Sequence, residues 1–107
     1  MIKISDTLID RDKYVVYVVG SISNDPNYKE KFQEAYNYLK SLGYTKIIIP
    51  TCVPDTLPYS RYAPISIGFV QASDIVYVLK DWKKSKGAKA EVAYAEMSGR
   101  AVFYENI

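Results

Sequence analysis

The stretch YVVYVVG (residues 14–20) decides the fold class, because it is an unbroken apolar run that ends at a glycine. Such a β-rich run without polar alternation is typical of a strand that is covered on both faces, as in a parallel sheet. Shorter runs follow at residues 46–49 (KIII), 75–79 (IVYVL) and 101–104 (AVFY). The sequence therefore predicts four strands, with the first strand at the centre of the sheet.

Between these strands the sequence predicts three helices. The first begins either at Asp25-Pro26, with proline at the first helical position, or at a capping box formed by Asn27 and Glu30. Apolar residues then recur at helical spacing, and Gly43 is placed to end the helix.

The second and third helices follow longer connections. Residues 51–62 carry two prolines and are predicted to form a loop, after which Pro64 opens the second helix. Ser85 is predicted to cap a third helix that ends near Ser98 and Gly99. The alternating order of strands and helices implies right-handed crossovers. We therefore expect a Rossmann-like, flavodoxin-like three-layer α/β sandwich with a parallel sheet of four or five strands.

The length of 107 residues predicts one domain over residues 1–107, in which residues 1–13 add at most a short strand. The content of 49% hydrophobic and 24% charged residues is that of an ordinary globular protein. No stretch is long and apolar enough to span a membrane, and the N-terminus lacks the apolar core of a signal peptide. A cytoplasmic location is therefore expected. The net charge of +2 is too small to indicate a nucleic-acid partner by itself.

The absence of histidine and the presence of a single cysteine restrict the chemistry. Without histidine there can be no Ser-His or Cys-His nucleophile pair, and the commonest metal ligand is missing. Cys52 has no partner for an intramolecular disulfide or a cysteine metal cluster. We expect no metal and no organic cofactor, so that carboxylates, hydroxyls, tyrosines or lysines carry any reaction.

The end of the third predicted strand is rich in lysine, with five lysines between residues 80 and 89. Ligands of parallel α/β sheets bind beyond the carboxyl ends of the strands. At this end Ser85, Lys86 and Gly87 offer a hydroxyl, an ammonium group and unobstructed amides at a helix N-terminus, which together suit a phosphate. A solvated lysine-rich loop is the alternative, and the spacing of a P-loop is absent.

Glu91 is an unusual residue for its position. It falls on or beside the core stripe that Ala88, Val92 and Ala95 form on the third helix. A carboxylate there is partly desolvated, which raises its pKa and suits a nucleophile or a general base. The alternative is a flanking glutamate that turns to solvent or pairs with a lysine.

Two further groups of residues lie where a ligand could contact them. At the end of the first strand, Gly20-Ser21 allows the backbone to approach a ligand closely. Tyr28, Tyr59 and Trp82 are predicted on loops or helix starts, where an aromatic face can stack on a base. A simple turn and structural aromatic residues are the alternative interpretation.

Several segments together resemble a known family. They are VYVVGSISNDPNYKEKFQEAYNYLKSLGY (residues 16–44), LPYSRY (residues 57–62) and SDIVYVLKDWKKSKGAKAEVAYAEMSGRAVFYE (residues 73–105). These segments are similar to short phage and bacterial proteins named only as a domain of unknown function. That family is related to nucleoside 2-deoxyribosyltransferases and deoxynucleoside 5′-monophosphate N-glycosidases. The W-x-x-S-x-G-A-x-x-E spacing, from Trp82 to Glu91, is the most specific part of the resemblance.

The resemblance implies roles for the residues singled out above. Glu91 would attack the anomeric carbon of the sugar and displace the base, while Ser85 would help to hold a 5′-phosphate. Gly20 would lie beside the sugar and phosphate. The resemblance also implies a small nucleoside or nucleotide as ligand, and a homo-oligomer that is a dimer or larger.

The chain departs from the family pattern at two positions. Ser66 stands where the enzymes carry an aspartate that helps to position the base or sugar, and Ser21 replaces the usual proline. Two functions therefore stay open, namely cleavage or transfer at the N-glycosidic bond and a catalytically inactive protein that sequesters or senses a nucleotide signal. A nucleic-acid binding module that uses the lysines is a third alternative, and the low net charge argues against it.

Overall fold

The computed structural model describes residues 10–22 and 25–105. Within them the chain alternates strands and helices in the predicted order. The elements are β1 (Val15–Val19), α1 (Tyr28–Ser41), β2 (Lys46–Ile48), α2 (Tyr59–Ala72), β3 (Ile75–Val78), α3 (Lys86–Met97) and β4 (Ala101–Tyr104). Of the segment where a short added strand was expected, residues 1–9 lie outside the described residues, and Arg11–Lys13 forms a single 3-10 turn.

The four strands form one parallel sheet in the order β2-β1-β3-β4. Successive side chains of a strand point to opposite faces, so the apolar run of β1 supplies two cores. Val16 and Val18 pack against α1 on one face, whereas Tyr17 and Val19 pack against α2 and α3 on the other. The predicted α/β sandwich with a central first strand is confirmed, with four strands in the sheet.

Helix α1 ends just before the predicted glycine and begins after Asn27, one of the two predicted starts, but without the predicted capping box. Asn27 is the N-cap residue, yet its side chain makes no capping hydrogen bond, so the expected capping box does not form. Instead the carboxylate of Asp25 accepts from the amide of Asn27 at 2.9 Å. At the other end Gly43 has a φ of +102°, which allows the amide of Tyr44 to donate to the carbonyl of Leu39.

The prediction that α2 opens at Pro64 is wrong, because the helix begins at Tyr59 and contains Pro64. The preceding Pro58 provides the N-cap, and its carbonyl accepts from the amides of Arg61 and Tyr62 at 2.9 and 3.1 Å. Proline has no amide hydrogen, so at Pro64 the helix loses one hydrogen bond to the carbonyl four residues earlier. The proline ring also clashes locally with that turn. Packing of α2 against the sheet and α3 retains the extra turn.

The three-layer arrangement gathers the ends of several elements at one edge of the sheet. The carboxyl ends of β1 and β2, the start of α2 and the N-terminus of α3 lie around a common hollow. Within residues 10–22 and 25–105 no helix is both long and apolar enough to cross a bilayer. The same part of the chain holds no cluster of three or more acidic or cysteine side chains arranged to bind a metal ion.

Candidate functional site

A cavity of about 280 Å³ opens at the carboxyl edge of the sheet, where ligands of such folds bind. The first loop, the β2–α2 connection and the ends of two helices line it. These residues are Gly20, Ile22, Tyr28, Pro50, Val53, Pro54, Asp55, Leu57, Tyr59, Tyr62, Ser85, Gly87, Ala88 and Glu91. A larger hollow of about 520 Å³ on the α1 side of the sheet contains none of the predicted site residues. The smaller cavity is therefore the candidate site.

Glu91 lies in the wall of this cavity and is only 6% exposed. Ala88, Val92 and Ala95 are buried beside it, so the core stripe of α3 is as expected. The Oε2 atom of Glu91 has no hydrogen-bond partner among the described residues. Burial raises the pKa of Glu91 from 4.5 to about 7, although hydrogen bonding by Tyr17 lowers it in part. The carboxyl group is thus desolvated and about half ionised near neutral pH. Its Oε2 atom is buried and makes no hydrogen bond to the described residues.

The hydroxyl group of Tyr17 interacts with this carboxyl group and with the hydroxyl group of Tyr62. Burial and the nearby charge of Glu91 raise the pKa of Tyr17 well above its usual value. Burial also raises the pKa of Tyr62, which interacts in turn with the hydroxyl of Tyr17. The sequence analysis did not single out Tyr17 as a candidate site residue. The available signal was a single phenol in an aliphatic strand, on the sheet face that α3 covers.

The N-terminus of α3 presents polar groups to the same cavity. Ser85 is the N-cap residue as predicted, and its hydroxyl oxygen accepts from the amide of Ala88 at 3.2 Å. The amides of Lys86 and Gly87 precede the hydrogen-bonded turns of the helix, so they remain available to an anion. A Cβ atom at Gly87 would lie 3.4 Å from the hydroxyl oxygen of Tyr59. Glycine therefore keeps the approach to these amides open.

An ionic network fixes the loop that follows β1. The ammonium group of Lys31 donates to the carbonyl of Ser21 at 2.6 Å and to the carboxylates of Asp25 and Asp81. The second oxygen of Asp81 accepts from the amide of Ser21 at 3.1 Å. Gly20, the neighbouring residue, then passes close to Leu79 and lines the cavity. The network holds the loop against the end of β3.

Three of the predicted site residues do not line the cavity. Ser21 is buried, with both its amide and its carbonyl engaged in the network just described. Trp82 packs on Tyr104, with ring centroids 5.9 Å apart, beside the opposite edge of the sheet. The side chain of Lys86 is exposed, as are those of Lys83, Lys84 and Lys89. The side chains of the lysine-rich segment are thus exposed to solvent, as the alternative interpretation predicted, while the first backbone amides of α3 remain unpaired within the helix.

Of the remaining candidate residues, some line the cavity and others have structural roles outside it. Tyr28 and Tyr59 line the cavity, as does the carboxylate-bearing Asp55. Ser66 is buried on α2, where its hydroxyl donates to the carbonyl of Ala63, and it lies outside the cavity lining. The carboxylate of Asp74 accepts from the amide of Val15 at 2.9 Å, which is a structural role at the start of the central strand.

Comparison with a solved structure supports the fold assignment. The structure described as a 2-desoxiribosyltransferase from Leishmania mexicana superposes with a TM-score of 0.61 at 19% sequence identity. The match covers 85% of this chain and 63% of that chain, so this protein spans less than two thirds of its structural neighbour. At this identity the likeness establishes a common fold. No curated protein matches the sequence.

A protein-family model matches most of the chain. It covers residues 14–104, from the start of the central strand to the end of β4, and is described as a domain of unknown function, DUF4406. The resemblance noted in the sequence is thereby confirmed. The chain belongs to the DUF4406 family and has the α/β fold of a nucleoside 2-deoxyribosyltransferase.

Proposed function

We propose that this protein binds a nucleoside or its 5′-monophosphate and cleaves or transfers the N-glycosidic bond, with Glu91 as the nucleophile. The observation that carries the proposal is the buried carboxyl group of Glu91, whose Oε2 atom lacks a partner among the described residues. Leaving a buried polar atom unpaired costs about 1–3 kcal/mol. Such an atom in the wall of a cavity is best explained by a bound ligand or a reaction that uses it.

The chemistry follows from the ionisation of this group. With a pKa of about 7, a large fraction of Glu91 is ionised at neutral pH. One carboxylate oxygen attacks C1′ of the sugar, the bond from C1′ to the base breaks, and the base leaves with the electron pair and takes a proton from solvent. Water then opens the glycosyl ester and restores the carboxylate. A second base in place of water would give transfer.

The other cavity residues supply places for the parts of a nucleotide. The cavity volume of about 280 Å³ is near the lower end of the range for small-molecule sites, which suits one nucleoside unit. Tyr28 offers an aromatic face for a base, and Asp55 offers a carboxylate that can accept from a sugar hydroxyl or a base amine. Ser85 and the first amides of α3 would hold a 5′-phosphate.

A catalytically inactive nucleotide-binding protein is the second candidate function. It is favoured by Ser66, which is buried, bonds the carbonyl of Ala63 and contributes nothing to the cavity lining. From α2, the cavity lining includes Tyr59 and Tyr62 but no carboxylate that could take the place of the family aspartate. Such a protein would sequester or sense a nucleotide without breaking it.

Chromatography and thermal shift together distinguish the two functions. Pure protein is incubated with nucleosides, their 5′-monophosphates and cyclic or ADP-ribose-type nucleotides, and the products are separated. Free base that forms with the wild type and is lost with Glu91→Gln supports the glycosidase. A thermal shift with every ligand recovered intact supports the inactive binding protein, and neither signal with any ligand contradicts both.

The family resemblance also implies a homo-oligomer, and we keep this as part of the proposal. The cavity is open to solvent on the side of Tyr59 and Asp55, where a neighbouring subunit could complete it. Light scattering coupled to size-exclusion chromatography measures the mass directly. A solution mass near 12.2 kDa would contradict the expectation.

A further inference from the structure

Tyr59 has an unusual position for a large aromatic side chain. It is the first residue of α2, it lines the cavity, and it is 62% exposed. Its hydroxyl has no hydrogen-bond partner in the part of the chain that the structure describes. The N-cap carbonyl of Pro58 accepts from Arg61 and Tyr62, so the turn that carries Tyr59 is well anchored. An anchored, exposed phenol at the mouth of a cavity is available to a ligand.

The phenol of Tyr59 stands over the N-terminus of α3. A Cβ atom at Gly87 would lie 3.4 Å from the Tyr59 hydroxyl oxygen, 3.5 Å from the adjacent ring carbon Cε1 and 3.8 Å from the hydroxyl oxygen of Ser85. Two hydroxyls from different elements therefore lie beside Gly87, on the side that a side chain at this position would occupy. Ser85 accepts from the amide of Ala88, which leaves its own hydrogen free to donate.

Among the described residues, the charged side chains that line the cavity are carboxylates, and Lys29 pairs with one of them, Asp55, at 3.8 Å. Asp55 and Glu91 line the cavity, whereas no lysine or arginine does, and the side chain of Lys86 is exposed. An anion here would be held by neutral donors and by the positive end of the helix dipole. Because no cationic side chain of the described residues lines the cavity, neutral donors such as these hydroxyls are expected to contribute to the binding.

The spacing along α3 relates this point to Glu91. Gly87 and Glu91 are four residues apart on one helix, which corresponds to about 6 Å of axial rise. A ribose ring with its C1′ atom at Glu91 can therefore direct its 5′ substituent toward Gly87. The Oε2 atom of the buried Glu91, which has no partner among the described residues, is an independent reason to expect a ligand in this cavity.

We propose that Tyr59 determines a preference for nucleoside 5′-monophosphates over nucleosides, because its hydroxyl joins Ser85 and the first amides of α3 in a neutral phosphate site. This inference rests on the proposed function and adds the residue that selects the substrate. The phenol donates one hydrogen bond to a phosphate oxygen that a nucleoside does not have.

The test is calorimetric binding in the Glu91→Gln background, which prevents turnover of the ligand. Common nucleoside 5′-monophosphates and the matching nucleosides are titrated into Glu91→Gln and into the Glu91→Gln, Tyr59→Phe double variant. We expect Tyr59→Phe to weaken monophosphate binding by roughly 10- to 150-fold, as for a hydrogen bond to a charged group, and to change nucleoside binding by less than about 2-fold. Tyr14→Phe is the matched control, since Tyr14 is an exposed tyrosine that does not line the cavity.

The possible outcomes separate this inference from the function on which it rests. Equal weakening of both ligand classes by Tyr59→Phe, or no effect on either, overturns the role of Tyr59 and leaves the proposed function intact. Selective loss of monophosphate binding in Lys86→Met but not in Tyr59→Phe would assign the phosphate to the lysine instead. If neither ligand class binds Glu91→Gln or the wild type, the proposed function fails, and the selectivity assigned to Tyr59 fails with it.

Discussion

Tyr17, in the middle of β1, and Glu91, on α3, interact through their side chains beneath the cavity although they are far apart in the chain. The phenol is 1% exposed and the carboxyl group 6% exposed. Burial favours the neutral carboxylic acid, whereas hydrogen bonding by Tyr17 favours the carboxylate. These two opposing effects together place the pKa of Glu91 at about 7, close to neutral pH.

Glu91 is expected to make the stability of the protein fall as pH rises from about 4.5 to 7. Its pKa is about 7 in the folded protein and 4.5 in the reference state, so the folded chain binds more protons in this window. The stabilising contribution is complete below pH 4.5 and is lost as pH passes the folded pKa. The loss is about 3 kcal/mol at most, at 1.36 kcal/mol for each pKa unit.

Urea denaturation of the wild type and Glu91→Gln at pH 4 and pH 8 measures this term. The difference in unfolding free energy between the two proteins cancels the other titrating groups. We expect Glu91→Gln to gain stability relative to the wild type on going from pH 4 to pH 8. A difference that stays constant across the two pH values would mean that Glu91 ionises as it does in the unfolded chain.

Tyr17→Phe is expected to move the pH dependence of activity to higher pH. In the proposed reaction the carboxylate of Glu91 is the reactive form, so wild-type turnover should rise with pH through about 7. Removing the phenol removes the interaction that favours the carboxylate, which raises the pKa of Glu91 further. The pH profile of kcat/KM for base release checks this. An unshifted acid limb with lower activity would indicate that Tyr17 acts only by packing.

Gly20→Ala is expected to destabilise the protein by roughly 1–3 kcal/mol through overpacking. The new Cβ atom would lie 2.8 Å from Cδ1 and 3.2 Å from Cβ of Leu79, a side chain that is only 1% exposed. The matched control is Gly68→Ala on α2, where a Cβ atom meets nothing within 4 Å. That variant should gain about 0.5–1 kcal/mol because alanine favours the helix. Urea denaturation of both variants measures the contrast, and equal effects would contradict the close approach at Gly20.

Lys31→Met is expected to loosen the first loop, while Lys29→Met is not. Lys31 holds the carbonyl of Ser21 and the carboxylate of Asp81, and its side chain is 24% exposed. Lys29 pairs with Asp55 at 3.8 Å, and both of those side chains are more than half exposed. We expect the free energy of unfolding to fall by about 1–2 kcal/mol in Lys31→Met and by less than about 0.5 kcal/mol in Lys29→Met, as measured by urea denaturation.

Hydrogen exchange of the Ser21 amide provides a second measurement, because this amide donates to Asp81. Exchange should accelerate in Lys31→Met and stay unchanged in Lys29→Met. Similar exchange in the two variants would mean that Asp81 holds the loop without help from the lysine.

The sequence by itself determined the features that depend on neighbouring residues. The apolar run of β1 identified a strand covered on both faces, and Gly43 and Ser85 marked helix ends through backbone freedom and a capping hydroxyl. Glu91 stood out because helical spacing placed it beside a core stripe. These signals are local, since each arises within about one turn of helix or one strand.

Only the tertiary structure decided which side chains meet. The start of α2 at Tyr59 depends on packing that outweighs the effect of Pro64, and the burial of Ser21 depends on a network that reaches to Asp81. The contact of Tyr17 with Glu91 and the position of Tyr59 over Gly87 are likewise long-range. The physical reason is that distances between residues remote in sequence are set by how helices pack on the sheet. No local propensity or spacing contains that information.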